Sequence, residues 1–167
     1  MDRTPSRCLI LACGNTLRSD DGVGPHIAEW AATHFRTEPA VRVLSRQQWT
    51  PELAEDIAAA KSVLFIDCSA ESAAGRVKLV PVEPANEAPG LATHHMGAAQ
   101  LLALARDLYS SLPRSAWMLT VGAGSMELGE EFSAPVHAAL PKAFQLLEET
   151  VKHLIANPTL SNSADPA

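Results

Sequence analysis

The stretch LILACGNTLRSDDGVGPHIAEW, residues 9–30, joins an apolar run to a polar, glycine-bounded turn and then to an amphipathic segment. The apolar run RCLILAC (7–13) is short and reads as a buried strand. Pro25 suits the first turn of a helix, where a missing N–H costs nothing. Ile27, Trp30, Ala31 and His34 then recur on one helical face. Between strand and helix lie two adjacent acids, Asp20 and Asp21, followed by Gly22 and Gly24. One carboxylate there is explained as a helix cap that complements the helix dipole. A second beside it is not, because the first repels it.

The same alternation continues along the chain. VRVL (41–44) alternates as a strand, and TPELAEDIAAA (50–60) reads as a helix with Thr50 as N-cap, Pro51 at the first position, and Leu53 and Ile57 one turn apart. SVLFIDCS (62–69) is a buried strand that ends in Asp67, and GRVKLVPV (75–82) alternates with Pro81 inside it, as an edge strand does. A Pro-rich loop (83–93) leads to a helix over 94–112, with Leu101, Leu104, Ala105 and Leu108 on one stripe. AWMLTVGAG (116–124) is a further core strand, and 134–156 is a final helix that Pro141 kinks or divides.

Strands alternating with helices predict an α/β fold: a three-layer α-β-α sandwich around a mostly parallel, twisted sheet. Strands 62–68 and 76–82 are too close in sequence for a crossover helix, so they predict one antiparallel edge pair. A single domain is expected over 1–156, with a disordered polar tail at 157–167. At 167 residues the chain is long enough to bury a core, and 47% of it is apolar.

A net charge of −6 argues against nucleic acid or an anionic membrane as partner. No run approaches the roughly 20 apolar residues of a membrane span, and the N-terminus lacks a signal-peptide pattern. Three cysteines without a CxxC suit a reducing cytoplasm. No heptad or broad apolar stripe is evident, so a monomer is expected.

Open α/β sheets bind ligands at the carboxyl ends of their strands. Asp21 follows the first strand, Asp67 ends another, and His94 and His95 open a helix on the same side. Two acids and an imidazole from separate segments suit a first-row divalent metal, with nickel, zinc or copper favoured over magnesium. Each has a structural alternative: a capping role for Asp20 or Asp21, a turn-forming role for Asp67, and plain helix-start polarity for His94 and His95. The glycines form neither GxGxxG nor a P-loop, and no GxSxG elbow occurs. Ser125 and Cys68 are possible nucleophiles that nothing in the sequence pairs with a base. Trp49 is either an exposed contact or a residue packed under the helix that follows it.

GNTLRSDDGVG (14–24) resembles the GNxLxxD[DE]GxG signature of the hydrogenase maturation endopeptidases. A strand ending in Asp (63–70), a His-x-x-Gly helix start (HHMG, 94–97) and a late strand running into VGAG (121–124) follow in the family's order, so that the resemblance spans about residues 8–155. It implies a protease that removes the C-terminal extension of a nickel–iron hydrogenase large-subunit precursor once nickel is in place. It further implies that Asp21, Asp67 and His94 engage nickel, carried by the substrate rather than held by the free enzyme. His94-x-x-Gly97 matches the family spacing, which favours His94 over His95. Asp20, on this reading, caps the first helix and takes no part in cleavage.

Overall fold

The computed structural model describes residues 6–88 and 96–156. The first apolar run forms β1 (Cys8–Cys13), and a 3-10 turn (Ser19–Gly22) leads directly into α1 (Val23–His34). The chain continues through β2 (Val41–Arg46), α2 (Leu53–Ala59), β3 (Ser62–Ser69), β4 (Val77–Pro81), α3 (Ala98–Tyr109), β5 (Ser115–Gly122) and α4 (Ala134–Ala156). The five strands make one sheet in the order β2-β1-β3-β5-β4, parallel throughout except that β4 runs against β5.

Alternation along the central strands sends side chains to two separate cores. Cys8, Ile10 and Ala12 of β1 and Leu64 and Ile66 of β3 meet α1 and α4 on one face. Leu9 and Leu11, with Val63 and Phe65, meet α2 and α3 on the other. Helices on both faces of a mostly parallel sheet give the expected α-β-α sandwich. The described residues include no helix long and apolar enough to cross a membrane.

The antiparallel pair is not the one expected. β4 does reverse direction after β3, but β5 lies between them and pairs with β3 along its whole length, from Ser62↔Ser115 to Ser69↔Gly122. The short connection fixes the direction of β4, not its neighbour. β3, whose apolar centre Val63–Ile66 is fully buried, takes the longer, more buried β5, and the Pro81-containing strand is left at the edge.

Helix boundaries also differ from the pattern. α2 starts at Leu53, with no side-chain cap, and the Thr50 hydroxyl is engaged with the Glu52 side chain instead. α3 starts at Ala98, because Gly97 is extended (φ −91°, ψ 173°) and its N–H donates to Gln100 Oε1 at 2.7 Å. Leu108 is exposed, and Leu102 is buried in the stripe with Leu101, Leu104 and Ala105. Pro141 lies inside a single helix and does not divide it. The 157–167 tail lies outside the described residues, as do His94 and His95.

Candidate active site at the carboxyl edge of the sheet

The turn between β1 and α1 folds back on itself, and its glycines make that possible. A Cβ at Gly14 would fall on the carbonyl of Asp21, and one at Gly24 on the carbonyl of Cys13. Only hydrogen fits in either place. Asp21 is half-buried in this turn, and its Oδ2 accepts the Asn15 N–H at 2.8 Å.

Asp67 reaches the same edge from β3. It follows Phe65 by two residues, so it projects on the α2/α3 face, beyond that core's last aromatic ring. Its Oδ1 accepts the Cys68 N–H at 2.8 Å. Burial, only partly offset by that hydrogen bond, and then the charge of Asp21 push Asp67 up to about 6. The two acids from separate segments are therefore electrically coupled neighbours.

Both thiols at this edge feel the same charges. Burial, then Asp67 and Asp21, hold Cys13 at about 12, against a small opposing effect from the Trp49 main chain. Burial, then Asp21, Asp67 and Asp20, hold Cys68 at about 12. A thiol held so high is almost entirely protonated at neutral pH, which argues against Cys68 as a nucleophile. Ser125 Oγ accepts the Glu127 N–H at 3.4 Å, and among the described residues no base is hydrogen-bonded to it.

Asp20 does something the sequence did not indicate. It caps no helix: neither the 3-10 turn nor α1 has a side-chain cap. Its carboxylate is fully buried and accepts four hydrogen bonds from the segment after β5. Gly124 N–H (2.7 Å), Ser125 N–H (2.8 Å) and Ser133 Oγ–H (2.7 Å) reach Oδ2, and Ser133 N–H (2.8 Å) reaches Oδ1. Burial opposes ionisation, but these bonds, those from Ser133 foremost, outweigh it and hold Asp20 below the ordinary carboxylate range.

Main-chain contacts reinforce the junction. Ser19 N–H donates to Gly129 O (2.7 Å), Gly129 N–H to Leu17 O (2.9 Å), and Asp20 N–H to Ser125 O (3.1 Å). Ser19 is left-handed at φ 50°, a conformation that costs a non-glycine residue about 1–3 kcal/mol and needs neighbours to enforce it. Its Oγ supplies one of them, donating to Glu127 O at 2.8 Å.

Trp49 is the packed residue of its two readings. It is 7% exposed and meets Phe65 edge-on, with ring centroids 5.3 Å apart. Its indole N–H has no hydrogen-bond partner among the described residues. Of the described histidines, His26 lies against Phe132, His34 stacks on Trp30 and pairs with Glu148 at 3.3 Å, and His137 and His153 are exposed on α4. No group of three or more His, Cys, Asp or Glu side chains among the described residues could hold a metal ion.

No family model and no curated protein matches the sequence. Solved structures do match. The Escherichia coli hydrogenase maturating endopeptidase HybD superposes with a TM-score of 0.66 at 22% identity, over 88% of this chain and 93% of its own. A hydrogenase 2 maturation peptidase from a Thaumarchaeota archaeon gives 0.63 at 26%, over 88% and 99%. The NiFe hydrogenase maturation protease HybD from Thermococcus kodakarensis gives 0.64 at 25%, over 86% and 98%.

The class that fold and edge define is thus an α/β sandwich of the kind these solved maturation peptidases share, with Asp21 after β1 and Asp67 near the end of β3 at the carboxyl edge of the sheet. Within that class the chain is similar over most of its length to the hydrogenase maturation endopeptidases, as the GNTLRSDDGVG motif implied.

Proposed function

We propose that the protein is an endopeptidase that removes the C-terminal extension of a nickel–iron hydrogenase large-subunit precursor, and that it recognises nickel already seated in that substrate. The observation that carries this reading is the coupled pair Asp21 and Asp67, placed at the ligand-binding edge of a fold shared with maturation peptidases.

Two adjacent carboxylates, one of them half-desolvated, are a poor arrangement for a protein that meets no cation. A cation that arrives with the substrate and seats on Asp21 relieves their repulsion, while Asp67, still partly buried, keeps a raised affinity for a proton. The chemistry that a substrate-borne nickel supplies is polarisation of a carbonyl or acidification of a bound water. Asp67, poised at about 6, is the better general base, because it is ionised at neutral pH yet still takes a proton readily. Asp21, held by Asn15, is the fixed ligand. His94 is assigned as the third ligand from the motif. Met96, two residues on, is buried in the same core as Phe65 and Trp49, on the face where Asp67 projects. The free thiols Cys8, Cys13 and Cys68 fit a cytoplasmic setting, and the enzyme is taken to act as a monomer.

The test is an intact-mass cleavage assay on the precursor from the same organism, nickel-loaded and nickel-free, with wild type, Asp21→Asn, Asp67→Asn and His94→Ala. Loss of a C-terminal peptide only from the loaded precursor, and only with wild type, is the expected result. Binding without a mass change would make the protein a nickel-site-recognising module with no protease activity.

A further inference from the structure

We propose that Asp20 is a positioning residue: by gripping the segment 124–133 it fixes the main chain that presents Asp21, and cleavage depends on that grip. The inference rests on reading Asp21 as a residue that meets the substrate.

A buried carboxylate is costly unless its acceptor sites are filled. Those of Asp20 are filled by four donors, all from residues 124, 125 and 133, more than a hundred positions away in sequence. A well-packed apolar side chain would hold two loops together without burying a charge, so the carboxylate's particular contribution is geometry. It defines the distance and orientation of two loops to within a hydrogen bond.

The residue it sits beside is strained. Ser19 is left-handed, and it keeps that conformation through bonds to Gly129 and Glu127, which the Asp20 grip holds in place. Released from the 124–133 segment, Ser19 relaxes toward ordinary backbone angles, and the peptide between it and Asp21 swings. Asp21 then keeps only bonds made within the turn itself, its carboxylate to Asn15 N–H and its N–H to Arg18 O, and none that ties the turn to the 124–133 segment. Displacing a reacting group by about 1 Å can cost about 100-fold in rate while leaving the rest of the binding surface intact.

Ser133 allows the grip to be loosened without touching either acid. Ser133→Ala removes the hydroxyl donor and keeps the amides, and Ser133→Thr keeps the hydroxyl. Two quantities are measured on the full chain: amide hydrogen exchange at Ser19, Ser125 and Gly129, and kcat and KM on the nickel-loaded large-subunit precursor. The expected result for Ser133→Ala is exchange faster by about tenfold or more and kcat lower by about tenfold or more, with KM within about twofold. Ser133→Thr restores both, and Asp20→Asn shows a larger change in the same direction. Faster exchange with unchanged kcat would reduce Asp20 to a structural strut, and a change confined to KM, or a kcat loss without faster exchange, would equally overturn the proposal. Wild type that fails to shorten the loaded precursor would sink the protease reading itself, and this inference with it.

Discussion

Asp21 lies close enough to Asp67 that its charge, added to burial, lifts Asp67 to about 6 from an ordinary 3.8. The two reach this relationship from different strands, one through a turn folded on glycines and the other at the end of a buried strand. Their coupling makes the pH behaviour of the site predictable in sign.

Between pH 4 and 6 the folded chain holds a proton on Asp67 that the unfolded chain has released. Stability therefore falls as pH rises through that window and is flat above it. Asp67→Asn removes the penalty, raising stability at pH 7 by up to about 3 kcal/mol and flattening the slope between pH 4 and 6. Urea melts at pH 4.5, 5.5 and 7 check this. Cleavage runs the other way: wild-type kcat/KM drops about tenfold per pH unit below 6, where the base is protonated.

The thiols predict inertness. With Cys13 and Cys68 at about 12, the native protein at pH 7 reacts with iodoacetamide far more slowly than a free cysteine peptide does. Cys68→Ser keeps cleavage within about threefold of wild type, because no covalent intermediate forms there. An acyl-enzyme trapped on Cys68 or Ser125 by mass spectrometry would contradict this mechanism.

Trp49 carries a buried N–H without an acceptor among the described residues. Trp49→Phe removes that unpaired donor while keeping an aromatic face for Phe65, so stability is unchanged or rises by up to about 1 kcal/mol. Trp49→Ala instead opens a cavity and costs about 3–5 kcal/mol. Thermal denaturation of the two variants separates packing from hydrogen bonding at this position.

Gly24 has the carbonyls of Cys13 and Ile66 where a side chain would be. Gly24→Ala forces α1 away from the ends of β1 and β3, at a cost of about 1–3 kcal/mol. Because this contact sets the turn that carries Asp21, cleavage is lost at temperatures where circular dichroism still reports a folded chain.

The architecture was legible because its signals are local. Apolar runs, Pro25 and the alternation of strands with helices each sit in a few consecutive residues, and together they specify layers. The neighbour of β4 was not, since nothing in 75–82 encodes that β5, more than 30 residues later, would come between it and β3. The site divides in the same way. The position of Asp21 and Asp67 at the carboxyl edge was legible from their places at strand ends, whereas Asp20, read as a helix cap, caps no helix. Its partners are two backbone amides of a GAGS turn and a serine before α4, residue types with no pairwise signature. A fully buried acid looks in sequence like its half-buried neighbour.

The strand order has a consequence for how the molecule is made. β4 is synthesised well before β5, yet β5 is the strand it pairs with, and β3 likewise waits for β5 to cover its second edge. A nascent chain ending before residue 115 can assemble β1, β2 and β3, but leaves β3 with a bare apolar border and β4 dangling. That interval is when the protein is most exposed to aggregation and most in need of a chaperone. Arrival of a single strand closes both gaps at once, so late-chain substitutions in β5 govern the yield of folded protein as well as its final stability.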